Sequence, residues 1–148
     1  MKILLRVFTF FFLLTNFSNA DLIKPDITLK PLDVLVIQLN SLQNNDYPYG
    51  DAGIEQTWEF AHPNNKIMTG PLKKFKQMIY SKSYEILIRH EKSEITILNE
   101  TNNKSVYKVY ILSKEKKKYY YIWQIEKVRQ EGDLKNCWMT TSVSSPEY

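Results

Sequence analysis

Residues 51–84, DAGIEQTWEFAHPNNKIMTGPLKKFKQMIYSKSY, hold a dense series of helix starts and stops, and their reading decides the fold. Asp51 is of the right type to cap a helix, because its short carboxylate can accept a free first-turn N–H. Ile54, Trp58 and Ala61 follow at spacings that share one helical face. His62-Pro63 stops that helix, since proline disfavours helical backbone in the residue before it. Asn64, Asn65, Thr69 and Gly70 read as a connector whose polar side chains bond nearby backbone and set the angle between two helices, with a ligand lip as the alternative for Asn65, Thr69 and Gly70. Pro71 opens a further helix where proline costs least, and Leu72, Phe75, Met78 and Ile79 give it one apolar face. Residues 84–88 fit either a short helical turn or a strand, because Tyr84, Ile86 and Ile88 also alternate.

Upstream, Pro31 suits a first turn and Asp33 suits the positive end of a helix dipole, while Val34, Leu35, Ile37, Leu39 and Leu42 form a broad apolar surface. Asn44, Asn45 and Asp46 end this first helix, and Tyr47-Pro48-Tyr49-Gly50 is a turn by composition. Downstream of Arg89 the period changes to two. Ile95 and Ile97 share a face of one strand, Tyr107, Val109 and Ile111 a face of the next, and Tyr119, Tyr121, Trp123 and Ile125 a face of the third. A fourth strand covers residues 137–143, reached through the break Glu131-Gly132-Asp133. Short connections favour antiparallel neighbours, so three helices followed by a four-stranded meander predict an α+β domain with the helices packed on one face of a twisted sheet.

The first 20 residues read as a signal peptide. Lys2 and Arg6 make the positive region, residues 7–14 an apolar stretch too short to cross a bilayer, and Ser18-Asn19-Ala20 a cleavage site. Residues 21–30 form an N-terminal arm and residues 31–148 a single domain. The expected location is an exported one, namely periplasm, thylakoid lumen or secreted, with no stable membrane span after cleavage. With a net charge of +4 that includes Lys2 and Arg6, the remaining chain is only weakly cationic, and a nucleic-acid groove is not indicated. The basic run at residues 114–118 reads as a solvated hairpin tip. Cys137 is the single cysteine, so stability must come from packing rather than a disulfide. The sequons Asn99-Glu100-Thr101 and Asn103-Lys104-Ser105 matter only on a eukaryotic secretory route.

Gln38-Leu39, Leu42, Asn45-Asp46, Asp51-x-Gly53-Ile54 and Trp58-x-Phe60-Ala61-x-Pro63-x-Asn65 belong to one extended pattern. It continues through Thr69-Gly70-Pro71-Leu72-x-x-Phe75-x-x-Met78, then Tyr84, Leu87, His90, and Cys137-Trp138-Met139-Thr140 with Ser142-Val143. This pattern resembles an uncharacterised domain-of-unknown-function family of bacteria and plants, itself similar to the nuclear transport factor two-like, or SnoaL-like, superfamily. The resemblance implies a cone-like α+β fold in which a curved four-stranded antiparallel sheet wraps against the N-terminal helices and leaves a cavity. It carries no activity and no catalytic residues, because that frame hosts isomerases, dehydratases, hydrolases and plain binding modules.

Trp58, His62, Trp123 and Trp138 are the candidate pocket residues. Trp58 and His62, one helical turn apart, can set an aromatic wall beside an imidazole base, or can serve as a core anchor and a helix-end group. Asp51, Glu55 and Glu59 share one helical face, which reads as a solvated stripe unless one carboxylate is buried. His90 with Glu91 and Glu94 is a thin metal set, or His90 ends a segment and bonds to backbone, and Cys137 is a small apolar filler or a nucleophile with no histidine at a telling position. No residue is assigned as catalytic, no metal ligand is assigned and no cofactor is expected. The expected function is an exported non-catalytic module that binds a small ligand or a protein partner through a cavity or the sheet face. A homodimer through the tyrosine-rich sheet is included among those partners. The alternative is a cofactor-free small-molecule enzyme of isomerase, dehydratase or hydrolase type, using a pocket histidine or carboxylate.

Overall fold

Four helices precede a four-stranded antiparallel sheet in a computed structural model that describes residues 21–148. The signal-peptide reading falls on residues 1–20 and lies outside the described residues. Helix α1 (Pro31–Gln43) starts with Pro31 in its first turn, and the Asp33 carboxylate accepts from the Lys30 N–H at 2.8 Å. Its buried stripe is Val34, Leu35, Gln38, Leu39 and Leu42, so one polar residue sits among four apolar ones. Helix α2 (Ala52–Glu59) packs against this stripe through Ile54. The arm before α1 is tied to α2, because Ile23 and Gln56 exchange two hydrogen bonds of 2.7 and 2.8 Å.

The start of α2 corrects the sequence reading. Asp51 does not cap the helix with its side chain: it adopts left-handed backbone (φ 65°), which short polar residues tolerate best, and its carboxylate instead meets Tyr80 and Lys76. Asn45 does the capping. Its carbonyl accepts from the Gly53 N–H at 2.9 Å and its side-chain oxygen from the Ile54 N–H at 3.0 Å. That arrangement brings the α2 backbone onto the end of α1, and Gly53 permits the approach: a Cβ there would stand 2.0 Å from the Ser41 carbonyl oxygen.

A second correction concerns residues 63–69. They form helix α3 (Pro63–Thr69) rather than an irregular connector. Pro63 occupies the first turn, the His62 ring accepts from the Asn64 N–H at 3.1 Å, and Gly70 ends the helix with φ 79°. None of its residues is buried, so there was no apolar period to reveal it. Helix α4 (Leu72–Ile79) buries Phe75 and Ile79, and residues 84–88 resolve into a 3-10 turn, Glu85–Leu87.

Strands β1 (Lys92–Glu100), β2 (Lys104–Leu112), β3 (Lys118–Lys127) and β4 (Trp138–Val143) run in chain order across the sheet. Cys137 lies one position before β4. Register sets Ile97, Tyr107 and Trp123 in one row and Ile95, Val109 and Tyr121 in another on the same sheet face; the helices cover this face over β2 and β3, whereas Ile97 on β1 is 53% exposed. Irregularities between Ile97 and Asn99 and between Gln124 and Ile125 shift the ladders, features that bend strands. The outer edge of β4 is covered by the junction between α2 and α3: Thr140 donates to the Phe60 carbonyl and accepts from the His62 N–H, both at 2.8 Å. The residues at 114–117 form the exposed β2–β3 tip. No helix among the described residues is long and apolar enough to cross a membrane.

The close contact at Gly53 yields a direct test. Gly53→Ala should destabilise the fold by about 3 kcal/mol, because the new methyl meets backbone that cannot move aside independently. Urea unfolding measures this, and a loss below about 0.5 kcal/mol would show that the helices separate easily.

Candidate functional site

The helical layer does not seal fully against the sheet. A pocket of about 250 Å³ lies between α1, α2, α3, α4 and the β3–β4 end of the sheet. Its floor is Trp123 of β3, fixed in place by hydrogen bonds from its indole nitrogen to Gln38 Oε1 and Thr140 Oγ1, each 3.2 Å. Thr140 also donates to Gln38 Oε1 at 2.6 Å, and the Gln38 amide donates to the Thr57 carbonyl at 3.1 Å. One buried glutamine thus joins α1 to α2, β3 and β4. Its position within an apolar stripe explains its role: a polar group taken out of water must find partners, and here it finds three.

Leu42, Phe75, Met78, Ile79, Leu87 and Val143 supply apolar wall, and Met68 stands at the solvent edge. The polar side chains of the wall are largely engaged within the protein. Thr57 donates to the Gly53 carbonyl, Asn65 to the Thr140 carbonyl and Thr69 to the Asn65 carbonyl, at 2.8, 3.2 and 2.9 Å. Tyr84 donates to the Val143 carbonyl at 3.1 Å, and burial pushes its hydroxyl above the usual tyrosine value. Among the described residues, no carboxylate, imidazole, amine or thiol belongs to this lining.

The four residues singled out from the sequence fall in different places. Trp123 is the pocket floor. Trp58 stands one layer behind, its ring 4.9 Å from that of Phe75 and covered by the Lys66 ammonium at 5.1 Å. Trp138 is buried elsewhere, with the Lys127 ammonium over its ring. His62 is 4% exposed and borders a separate, polar hollow with Asn64, Asn103, Glu126, Arg129 and Gln130. Its Nδ1 accepts from the Asn64 N–H, so in the neutral ring the proton sits on Nε2 and the free edge can only donate. A general base needs a lone pair there, and this tautomer removes it.

The acidic groups are similarly committed. Lys76 reaches Glu55 at 2.8 Å and Asp51 at 3.5 Å, while Lys24 reaches Glu59 at 2.9 Å. The Lys76 hydrogen bond holds the Glu55 carboxyl below its ordinary value, and the Tyr80 hydroxyl does the same for Asp51. A general acid requires a shift in the other direction. His90 bonds through Nδ1 to the Leu87 carbonyl at 2.8 Å, while Glu91 pairs with Lys116 and Glu94 with Lys92, so the three do not converge. Cys137 is buried with Val128 and Met139, and burial raises its thiol above the usual range.

On the outer sheet face Lys108 lies 3.8 Å from the Tyr120 ring and 5.1 Å from that of Tyr110, and Tyr120 bonds Glu147 near the C-terminus. The fold and pocket together define a small α+β domain with a neutral, mostly apolar hollow between its layers. Comparison with protein-family models, with curated proteins and with solved structures gives no match for this chain.

Burial lowers the pKa of both His62 and His90. The unfolded chain therefore takes up protons first, near the ordinary histidine value of about 6.5. Stability should be complete above that pH and fall as pH drops through it, ahead of the carboxylate losses expected below about pH 4. Urea midpoints between neutral and mildly acidic pH should decline in the wild type and flatten in His62→Gln/His90→Gln. An unchanged slope in the double variant would contradict this.

Proposed function

We propose that the protein is an exported, non-catalytic binding module that takes a small, uncharged, predominantly apolar ligand between its helices and sheet. The observation that carries this reading is the pocket lining: apolar walls around Trp123, polar groups largely bonded within the protein, and, among the described residues, no carboxylate, imidazole, amine or thiol. Such a site recognises a ligand by shape and by removal of apolar surface from water. Apolar cavities of about 150 Å³ admit a benzene-sized guest, so the larger hollow here suits a two-ring molecule or a short acyl chain.

The nuclear transport factor two-like frame, with a cone-shaped sheet, is part of the same proposal. Helices followed by a meander support it, as do the two ladder irregularities that favour curvature. Export rests on the leader-like first 20 residues. The enzyme alternative gains nothing from His62, whose ring borders a different hollow and offers no free lone pair.

An uncharged naphthalene fluorophore should bind with increased emission. Met78→Trp, which fills the hollow, should weaken binding by at least about tenfold while leaving the urea midpoint nearly unchanged. His62→Gln should bind as the wild type does. Equal binding by Met78→Trp, or loss of binding in His62→Gln, would overturn the assignment.

A further inference from the structure

One corner of the helical layer leaves large apolar side chains uncovered. Ile67 is 78% exposed and Met68 85%, at consecutive positions of α3. Met68 also lines the pocket, so the apolar corner and the pocket mouth are continuous. The charge on α3 and α4 has one sign, and the carboxylates that meet these helices, Asp51, Glu55 and Glu59, belong to α2 and its start. Residues 60–84 contain five lysines and no Asp or Glu. Lys76 is neutralised by Glu55 and Asp51, but Lys73 and Lys74, exposed at the start of α4, make no ion pair among the described residues. The Lys74 stem packs against the turn after α3, since a Cβ on Gly70 would lie 2.7 Å from its Cδ. The first turn of α4 is therefore brought beside the end of α3.

We propose that this corner docks on an anionic lipid surface and sets the pocket mouth against it. Ile67 and Met68 enter the headgroup boundary, and the Lys73 and Lys74 ammoniums meet lipid phosphates while their stems cover apolar surface. A second copy is a poorer occupant, because a two-fold contact through this corner would place the unpaired lysines of both copies together. The inference rests on the pocket reading for its purpose: a bilayer is a store of apolar molecules, and a neutral pocket opening onto it can exchange one without passing it through water.

The test places an environment-sensitive nitrobenzoxadiazole label at Ile67→Cys, a residue outside the pocket lining, and in a control at Tyr110→Cys on the outer sheet face. Cys137 is buried and stays unlabelled in the native protein. Vesicles of phosphatidylcholine are compared with and without phosphatidylglycerol. The expected result is a blue shift at position 67 with phosphatidylglycerol and none at position 110. Lys73→Glu/Lys74→Glu should raise the half-saturating lipid concentration by at least about fivefold. Absence of a shift, equal shifts at both positions, equal response to pure phosphatidylcholine, or a shift that follows protein concentration without lipid overturns the proposal. Naphthalene binding in vesicle-free solution separates the two readings: binding retained without vesicle response refutes the docking surface alone, whereas vesicle docking without naphthalene binding refutes the pocket alone.

Discussion

The buried amide of Gln38 is the interaction on which the arrangement turns. It accepts from Trp123 and Thr140 and donates to the α2 backbone at Thr57, so a single side chain fixes α1 against three other elements. A buried polar group left without partners costs about 1–3 kcal/mol, and the helices consequently have one favoured seat on the sheet. The same bonds anchor the Trp123 indole, which lines the hollow with Val143 as its register partner in β4. Fold specificity and site geometry thus share one cause.

Neutrality is the second feature that the structure builds consistently. Around α2 the carboxylates are drawn outward to Lys24 and Lys76, and the two histidines are each tied to backbone, His62 at the start of α3 and His90 at the Leu87 carbonyl. Charge is kept at the surface, where water solvates it at little cost, and the space between the layers is left to hydroxyls, amides and hydrocarbon. Against that background Lys73 and Lys74, without an ion pair among the described residues, and the uncovered apolar side chains near Gly70 stand out as a surface feature rather than as spillover from the core.

The strands were legible because their alternation is strong: Tyr107, Val109, Ile111, Tyr121, Trp123 and Ile125 all face the helices as their spacing requires. Helix α1 was legible for the same reason. Helix α3 was not, because a helix that buries none of its residues has no apolar period, and its stability comes from Pro63, the His62 cap and Gly70. Asp51 misled because residue type alone cannot say whether a carboxylate caps its own helix or a neighbour supplies the cap, as Asn45 does here.

The site was legible only in part. Trp123 belongs to the pocket, whereas Trp58 and His62, adjacent on paper, diverge once α2 ends at Glu59 and the chain turns along β4. Gln38 carried a signal that spacing could have exposed, a lone amide at an inward position between Leu35 and Leu39. Its partners Thr57, Trp123 and Thr140 are distant in sequence, and only the folded chain brings them together.

The chain contains three tryptophans, so its indole N–H region in a nitrogen–proton correlation spectrum has one resonance to assign at each of Trp58, Trp123 and Trp138. Titration with uncharged naphthalene tests the pocket most directly. The Trp123 indole resonance should move in a saturable way while that of Trp138 stays fixed; a stationary Trp123 resonance at saturation, or equal movement of all three, would contradict the account.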